Sequence, residues 1–194
     1  RPGRRGVMAL IGGTGSVVWG SLPSGEVNGW GGHGQDGVGD IGSGCWLGET
    51  ATRASWAAID RRDVRPEFKA DLLAITDCAS LKDLAGKIKS SPPSPGEWAA
   101  LAPSVCRSAL LDLDASRIVS TGVQGLGDLT KKAAAWMNGY APWVLIAAGG
   151  LITHQPHWLE RLYPANLEQI ESLPAYLLHE PVWGAICRAV YPEA

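Results

Sequence analysis

Three short runs carry residue types suited to holding a polar ligand. The first is Gly12-Gly13-Thr14-Gly15-Ser16, which lies between two apolar runs. Glycines at such a tip let backbone N–H groups approach an anion with no Cβ in the way, and the Thr and Ser hydroxyls add donors. That combination suits a nucleotide phosphate; a plain glycine-rich turn is the simpler alternative. No Gly-Lys-Ser/Thr follows, so this is not a Walker A loop. The second run is Ala148-Gly149-Gly150, at the end of an apolar stretch. Open α/β sheets often bind ligands where a buried strand gives way to a helix; a tight strand–helix connection is the alternative. The third is Asn28-Gly29-Trp30-Gly31 followed by Gly39-Asp40-Ile41-Gly42-Ser43-Gly44. A Trp between glycines offers its ring to the face of a sugar, and an Asp at a helix start accepts hydrogen bonds from sugar hydroxyls. A core Trp and a capping Asp would leave the same pattern.

Other candidates carry less. His154 and His157 are spaced i, i+3, but Pro156 lies between them and no third ligand is near, so surface or capping histidines are expected in place of a metal site. Most of the nine tryptophans sit on apolar helical faces and read as core. Asp112-Leu113-Asp114 reads as a turn between helices, and no Ser–His–Asp arrangement is legible.

These residues need elements to position them. The apolar runs over 6–11 and 17–19 predict two strands joined by the glycine tip, a hairpin, with a third strand over 26–30. Residues 31–44 are glycine-dominated and read as a loop. Apolar residues at helical spacing over 43–61 predict an amphipathic helix, with Asp40 or Ser43 as its N-cap. Two short helices follow around 68–75 and 81–88, then a Pro/Ser linker over 90–95. Helices are expected over 97–111 and 115–137, the second weakened by Gly122, Gly125 and Gly127. A strand over 142–148, a helix from 157 to 162, a strand over 176–178 and a helix from Pro181 to Val190 complete an α/β order.

The chain has 194 residues, 45% of them apolar and 19% charged, enough for a packed core of ordinary domain size. A net charge of −2 with no basic cluster argues against nucleic acid as a partner and against a membrane surface. No apolar run approaches the roughly 18 residues of a membrane span, and a cytoplasmic location is expected. Cys45, Cys78, Cys106 and Cys187 are widely spaced with no CxxC, which predicts reduced thiols. The chain opens on Arg1, with an apolar run beginning almost at once, and this start is most simply read as that of a truncated chain.

Taken in order, Ile-Gly-Gly-Thr-Gly-Ser, then Gly-Trp-Gly, then Gly-Asp-x-Gly-Ser-Gly-x-Trp-Leu-Gly resemble the second lobe of the BadF/BadG/BcrA/BcrD-type ATPases. N-acetylglucosamine kinase and glucosamine kinase belong to that group. The likeness continues through Leu101-Ala102-Pro103-Ser104-Val105, residues 145–151 and Glu180-Pro181-Val182-Trp183-Gly184-Ala185. The resemblance implies an α/β, actin-like ATPase fold of two RNase H-like lobes with ATP and Mg²⁺ in the cleft. Residues 1–194 would be the C-terminal lobe, and the N-terminal lobe would supply the general-base Asp. Gly13, Thr14, Gly15 and Ser16 match the second phosphate loop, Gly149 and Gly150 the adenosine-side loop, and Gly29, Trp30 and Asp40 the positions that contact the sugar. An amino sugar is then the implied substrate, and a homodimer a partner that the family often shows.

Three departures stand out. The stretch over 31–39 is about four residues longer than the family pattern, which brings Asp36 into play beside Asp40; the Gly-Ser-Gly-Cys-Trp that follows in register favours Asp40. Ile41 stands where the family usually has Glu. Nothing in the chain resembles the Asp-Gly-Gly-x-Thr loop of the first lobe. Two other functions fit some of these features: an ATPase that activates a 2-hydroxyacyl-CoA dehydratase through a cysteine-held iron–sulfur cluster, and a non-catalytic sugar- or nucleotide-sensing module.

Overall fold

The computed structural model describes residues 6–33, 40–59, 66–137, 143–155 and 175–178. They divide into two compact units, one of Arg1–Gly13, Val17–Trp30 and Gly127–Ala194, the other of Thr14–Ser16 and Gly31–Leu126.

The first unit is built on a five-stranded sheet. Its strands are β1 (Gly6–Gly12), β2 (Ser16–Ser21), β3 (Val27–Gly31), β4 (Trp143–Ala148) and β5 (Ala175–Leu178), in the order β3-β2-β1-β4-β5. The connections β1–β2 and β2–β3 are three and five residues long. A parallel crossover needs a dozen or more, so these three strands form an antiparallel meander. β4 then pairs parallel with β1, from Gly6 opposite Trp143 to Ile11 opposite Ala148, and β5 pairs parallel with β4.

Side chains alternate across the sheet as a two-residue period requires. Gly6, Met8, Leu10 and Gly12 of β1 are buried, whereas Val7 and Ala9 are half-buried and Ile11 is exposed. The buried face lies under the second half of α6 (Leu113–Trp136) and under α7 (Gly150–His154). Glycines admit those helices: a Cβ at Gly6 would lie 2.9 Å from Met137 Cε, one at Gly12 2.8 Å from Ile152 Cγ1, and one at Gly20 3.0 Å from the Trp136 ring. Trp143, Leu145, Ala147 and Ile152 complete this core. Burying each large apolar side chain contributes roughly 1.5–3 kcal/mol.

The second unit is helical: α1 (Gly44–Ile59), α2 (Pro66–Thr76), α3 (Leu81–Ser90), α4 (Pro95–Ala100), α5 (Ala102–Ser108) and the first half of α6. Leu47, Leu72, Leu84, Leu101 and Leu126 are fully buried at its centre. α1 touches α4 closely enough that a Cβ at Gly48 would lie 2.8 Å from the Trp98 carbonyl carbon. Asp71 of α2 accepts from Ser104 Oγ and, at 2.8 Å, from Arg107 of α5, which fastens those two helices. The helix expected over 97–111 is two helices. Pro103 has no N–H to donate and its ring crowds the carbonyl four residues back, so the chain restarts after Leu101. After Gly149 a short helix begins at once at Gly150; the helices expected from 157 and from Pro181, the Glu180–Ala185 motif and Cys187 lie outside the described residues.

Helix starts follow capping chemistry. Ser43 Oγ accepts from Trp46 N at 3.1 Å, Ser80 from Asp83 N, and Asp112 Oδ1 from Ala115 N at 2.8 Å. Asp112 therefore caps α6, whereas Leu113 and Asp114, expected in the turn, already belong to the helix. Ser94 and Glu97 form a reciprocal capping box ahead of α4, with Pro95 in its first turn. Ser94→Ala is expected to cost about 1 kcal/mol, read from the urea midpoint of the 194-residue chain. The Ser94 backbone N–H, with its hydroxyl second, holds the Glu97 carboxyl below its usual range. The contribution of that bond is therefore complete above the ordinary carboxylate range and is lost as pH falls through the lowered value.

Candidate functional site

The register of β1 and β4 decides what meets at one end of the sheet. Because Ile11 pairs with Ala148 in parallel, the next residue of each strand, Gly12 and Gly149, leaves the sheet side by side. This is the C-terminal end of both strands, where α/β sheets bind ligands. Gly149 adopts φ 96°, ψ 145°, and a Cβ there would lie 2.6 Å from Gly12 C and 3.0 Å from Gly12 N. Only glycine fits that contact. Gly149 also starts α7, its carbonyl accepting from Thr153 N at 3.0 Å. Next to it, a Cβ at Gly13 would meet nothing within 4 Å, so the backbone there is open on its side-chain face. The tip glycines and the double-glycine bend thus come together at Gly12 and Gly149. His154 lies within 2.6 Å of the Gly150 carbonyl through Nδ1, within its own short helix, in keeping with a capping histidine.

Within the second unit the turn Thr14–Ser16 is held by Gly32, Ile41 and Cys45. Gly32 N donates to Ser16 O at 3.0 Å, and Cys45 N donates to Thr14 O at 3.1 Å. Ser16 is buried, and its hydroxyl donates to the Ile41 carbonyl at 3.1 Å. The hydroxyl has a single proton, so the donor that the sequence suggested for a phosphate is engaged in shaping the loop. Thr14 and Gly15 are exposed.

Asp40 is the most unusual residue of this segment. It has φ 59°, a left-handed backbone that few non-glycine residues adopt. Its Oδ2 would stand 2.8 Å from a Cβ at Gly15, so the carboxylate lies directly against the glycine turn. Its Oδ1 is buried, with no hydrogen-bond partner among the described residues. The sequence suggested Asp40 or Ser43 as the N-cap of α1; Ser43 takes that role, while Asp40 closes the preceding turn by accepting from Ser43 N through its main-chain carbonyl at 2.9 Å. The Cys45 thiol is pushed up, first by burial and then by the Glu49 and Asp40 carboxylates. Burial also pushes the Cys106 thiol up to about 11, against a smaller opposing effect of Arg107. Cys45, Cys78 and Cys106 are all free thiols.

Two of the glycines read as weak points of α6 are a seat for this loop. A Cβ at Gly122 would lie 3.0 Å from Gly42 Cα, and one at Gly125 would lie 2.9 Å from Ile41 Cβ. Gly42 itself has φ 80° and sits beside Leu126. Sequence reasoning missed this partnership; the signal was present as glycines spaced about one turn apart in an otherwise apolar helix.

In the first unit Trp30 is half-buried, its ring meeting the Trp136 ring edge-on at 5.5 Å and 63°. Both rings lie over Gly20. On the opposite face of the sheet the exposed Trp19 ring covers Gly29, 3.1 Å from where a Cβ would be. Gly29 N is bonded by the side chain of Asn28. Asp36, the alternative acid, lies outside the described residues.

Among the described residues no group of three or more His, Cys, Asp or Glu side chains converges as a metal site. None of their helices is long and apolar enough to cross a membrane.

No family model and no curated protein sequence matches the chain. Solved structures do. A protein from Chromobacterium violaceum described as an N-acetylglucosamine kinase superposes with a TM-score of 0.64 at 23% identity, over 88% of this chain and 55% of that one. A protein from Porphyromonas gingivalis with the same description gives 0.59 at 18% identity, over 95% of this chain and 60% of that one. The chain thus spans a little over half the length of these neighbours. The expected mixed α/β architecture is observed, and it is the fold these neighbours share.

Proposed function

We propose that this chain is the C-terminal lobe of a two-lobe, ATP-dependent kinase that phosphorylates a hydroxyl of an amino sugar, N-acetylglucosamine or glucosamine. The observation that carries the reading is Asp40: on a left-handed backbone, its carboxylate is set against the glycine turn with one buried oxygen that has no partner among the described residues. A buried acceptor without a partner costs about 1–3 kcal/mol, and backbone outliers of this kind gather at ligand sites. A sugar hydroxyl donating to Oδ1 would remove that cost.

In this reading the backbone amides of Gly13, Thr14, Gly15 and Ser16, with Gly149 and Gly150, hold the nucleotide. Trp30 presents the ring against which the sugar packs, with the Gly29 backbone beside it in the strand. Phosphoryl transfer needs positioning and charge stabilisation more than covalent help. The general base is an Asp of the N-terminal lobe. Mg²⁺ would be held chiefly by the nucleotide phosphates and water; among the described residues no three His, Cys, Asp or Glu side chains converge on a site for it.

The test uses the full-length protein, assayed for transfer of labelled γ-phosphate from ATP to N-acetylglucosamine and to glucosamine. Trp30→Ala is expected to raise KM for the sugar about tenfold, the scale of a lost aromatic contact, with a much smaller change for ATP. Equal effects on both substrates would remove Trp30 from the sugar site. Nucleotide and sugar binding without any transfer would favour the sensing module. Iron and acid-labile sulfide in anaerobically purified protein would favour the dehydratase activator, although Cys45, Cys78 and Cys106 do not converge.

A further inference from the structure

We infer that Ser16 is a positioning residue that couples nucleotide binding at the glycine turn to sugar binding at Asp40; this rests on the function proposed above. Every residue of the turn is tied to the acid-bearing segment. Thr14 accepts from Cys45 N, Gly15 abuts Asp40 Oδ2, and Ser16 both accepts from Gly32 N and donates to Ile41 O. The last bond is the informative one. Ser16 is 2% exposed, so its hydroxyl is shielded from solvent, and its proton goes to the carbonyl of the residue that follows Asp40.

The acid-bearing loop has little freedom to absorb a movement of the turn. On its other side Ile41 and Gly42 rest on Gly125 and Gly122 of α6 at contact distance. Ser43, next along, is fixed as the cap of α1. A shift of the turn when phosphates bind to its amides is therefore passed through Ser16 to the Ile41 carbonyl, and from there to the Asp40 carboxylate. Coupling of this sort is reciprocal: the sugar tightens the nucleotide by the factor by which the nucleotide tightens the sugar.

The experiment measures the Kd of N-acetylglucosamine for the full-length protein by calorimetry, with and without saturating AMP-PNP. The unmodified protein is expected to show a ratio of about ten, within the ordinary range of coupling between sites. Ser16→Ala is expected to bring the ratio to about one. Gly125→Ala should do the same from the opposite side, because its Cβ would displace Ile41 while touching neither ligand. Both constants refer to the same folded population, so a loss of stability alone does not move the ratio. An unchanged ratio in both variants overturns the inference, as does a Ser16→Ala protein that loses AMP-PNP affinity without sugar while keeping the ratio, which would make Ser16 a direct phosphate ligand. A ratio of one in the unmodified protein overturns the coupling and leaves the kinase reading standing. Failure to bind either ligand overturns both.

Discussion

Gly149→Ala is expected to destabilise the chain by about 3 kcal/mol, while Gly150→Ala, one residue on, is expected to be neutral or slightly stabilising. The two glycines are alike in sequence and opposite in surroundings. Gly149 holds φ 96°, ψ 145°, beside the region that only glycine visits at ease, and an added Cβ would run into the Gly12 backbone at 2.6 Å. Backbone strain of this kind costs roughly 1–3 kcal/mol, and forcing an extra carbon into a closed contact costs a similar amount. The clash is with main chain, which cannot swing aside as a side-chain tip would. At Gly150 the nearest atom to a Cβ is His154 Nδ1 at 4.0 Å, and the residue opens α7, where Ala exceeds Gly in helix propensity by up to about 1 kcal/mol. Urea unfolding of both variants checks this. Equal midpoints would show that the parallel pairing of β1 and β4 does not bring the two bends together.

Replacing Asp40 is expected to separate stability from function. Asp40→Gly removes the buried, unpartnered oxygen and gives the left-handed position the residue that suits it. Relief of the orphan acceptor contributes about 1–3 kcal/mol, and glycine's extra freedom in the unfolded chain takes back roughly 0.5–1 kcal/mol. A net gain of about 1–2 kcal/mol should appear as a higher urea midpoint. The same change deletes the charged acceptor proposed for a sugar hydroxyl. A hydrogen bond to a charged group is worth about 1.5–3 kcal/mol, so KM for the sugar should rise on the order of 10- to 150-fold in the full-length protein. Asp40→Asn should impair sugar use more than Asp36→Asn. A stabilised variant with full sugar affinity would remove Asp40 from the site, and the reverse order of the two Asn variants would put Asp36 in its place.

Much of the fold was legible because its signals are local. Strands over 6–11 and 17–19 follow from short apolar runs and the third over 26–30 from its place after a turn, with the tip marked by its glycines. The helix after the 31–44 loop, the two short helices and the Pro/Ser linker were likewise read within a residue or two of their ends. The single helix expected over 97–111 divides because the Pro103 ring and its missing N–H do not let one helix run on through it.

The candidate site was legible only as residue types. Composition and spacing alone marked the glycine-rich backbone at 12–16 and 149–150 as suited to a ligand, and left Asp36 and Asp40 both in play after Trp30. Tertiary structure decided what each residue does there. Parallel pairing of distant strands sets Gly149 against Gly12, the Ser16 proton goes to Ile41 in place of an open face, and Gly122 and Gly125 are a seat for the acid-bearing loop although helix propensity marks them as flaws. The physical reason is that propensity and periodicity act over a few neighbouring residues, while close approach and hydrogen-bond partnership depend on surfaces that meet only after the chain has folded.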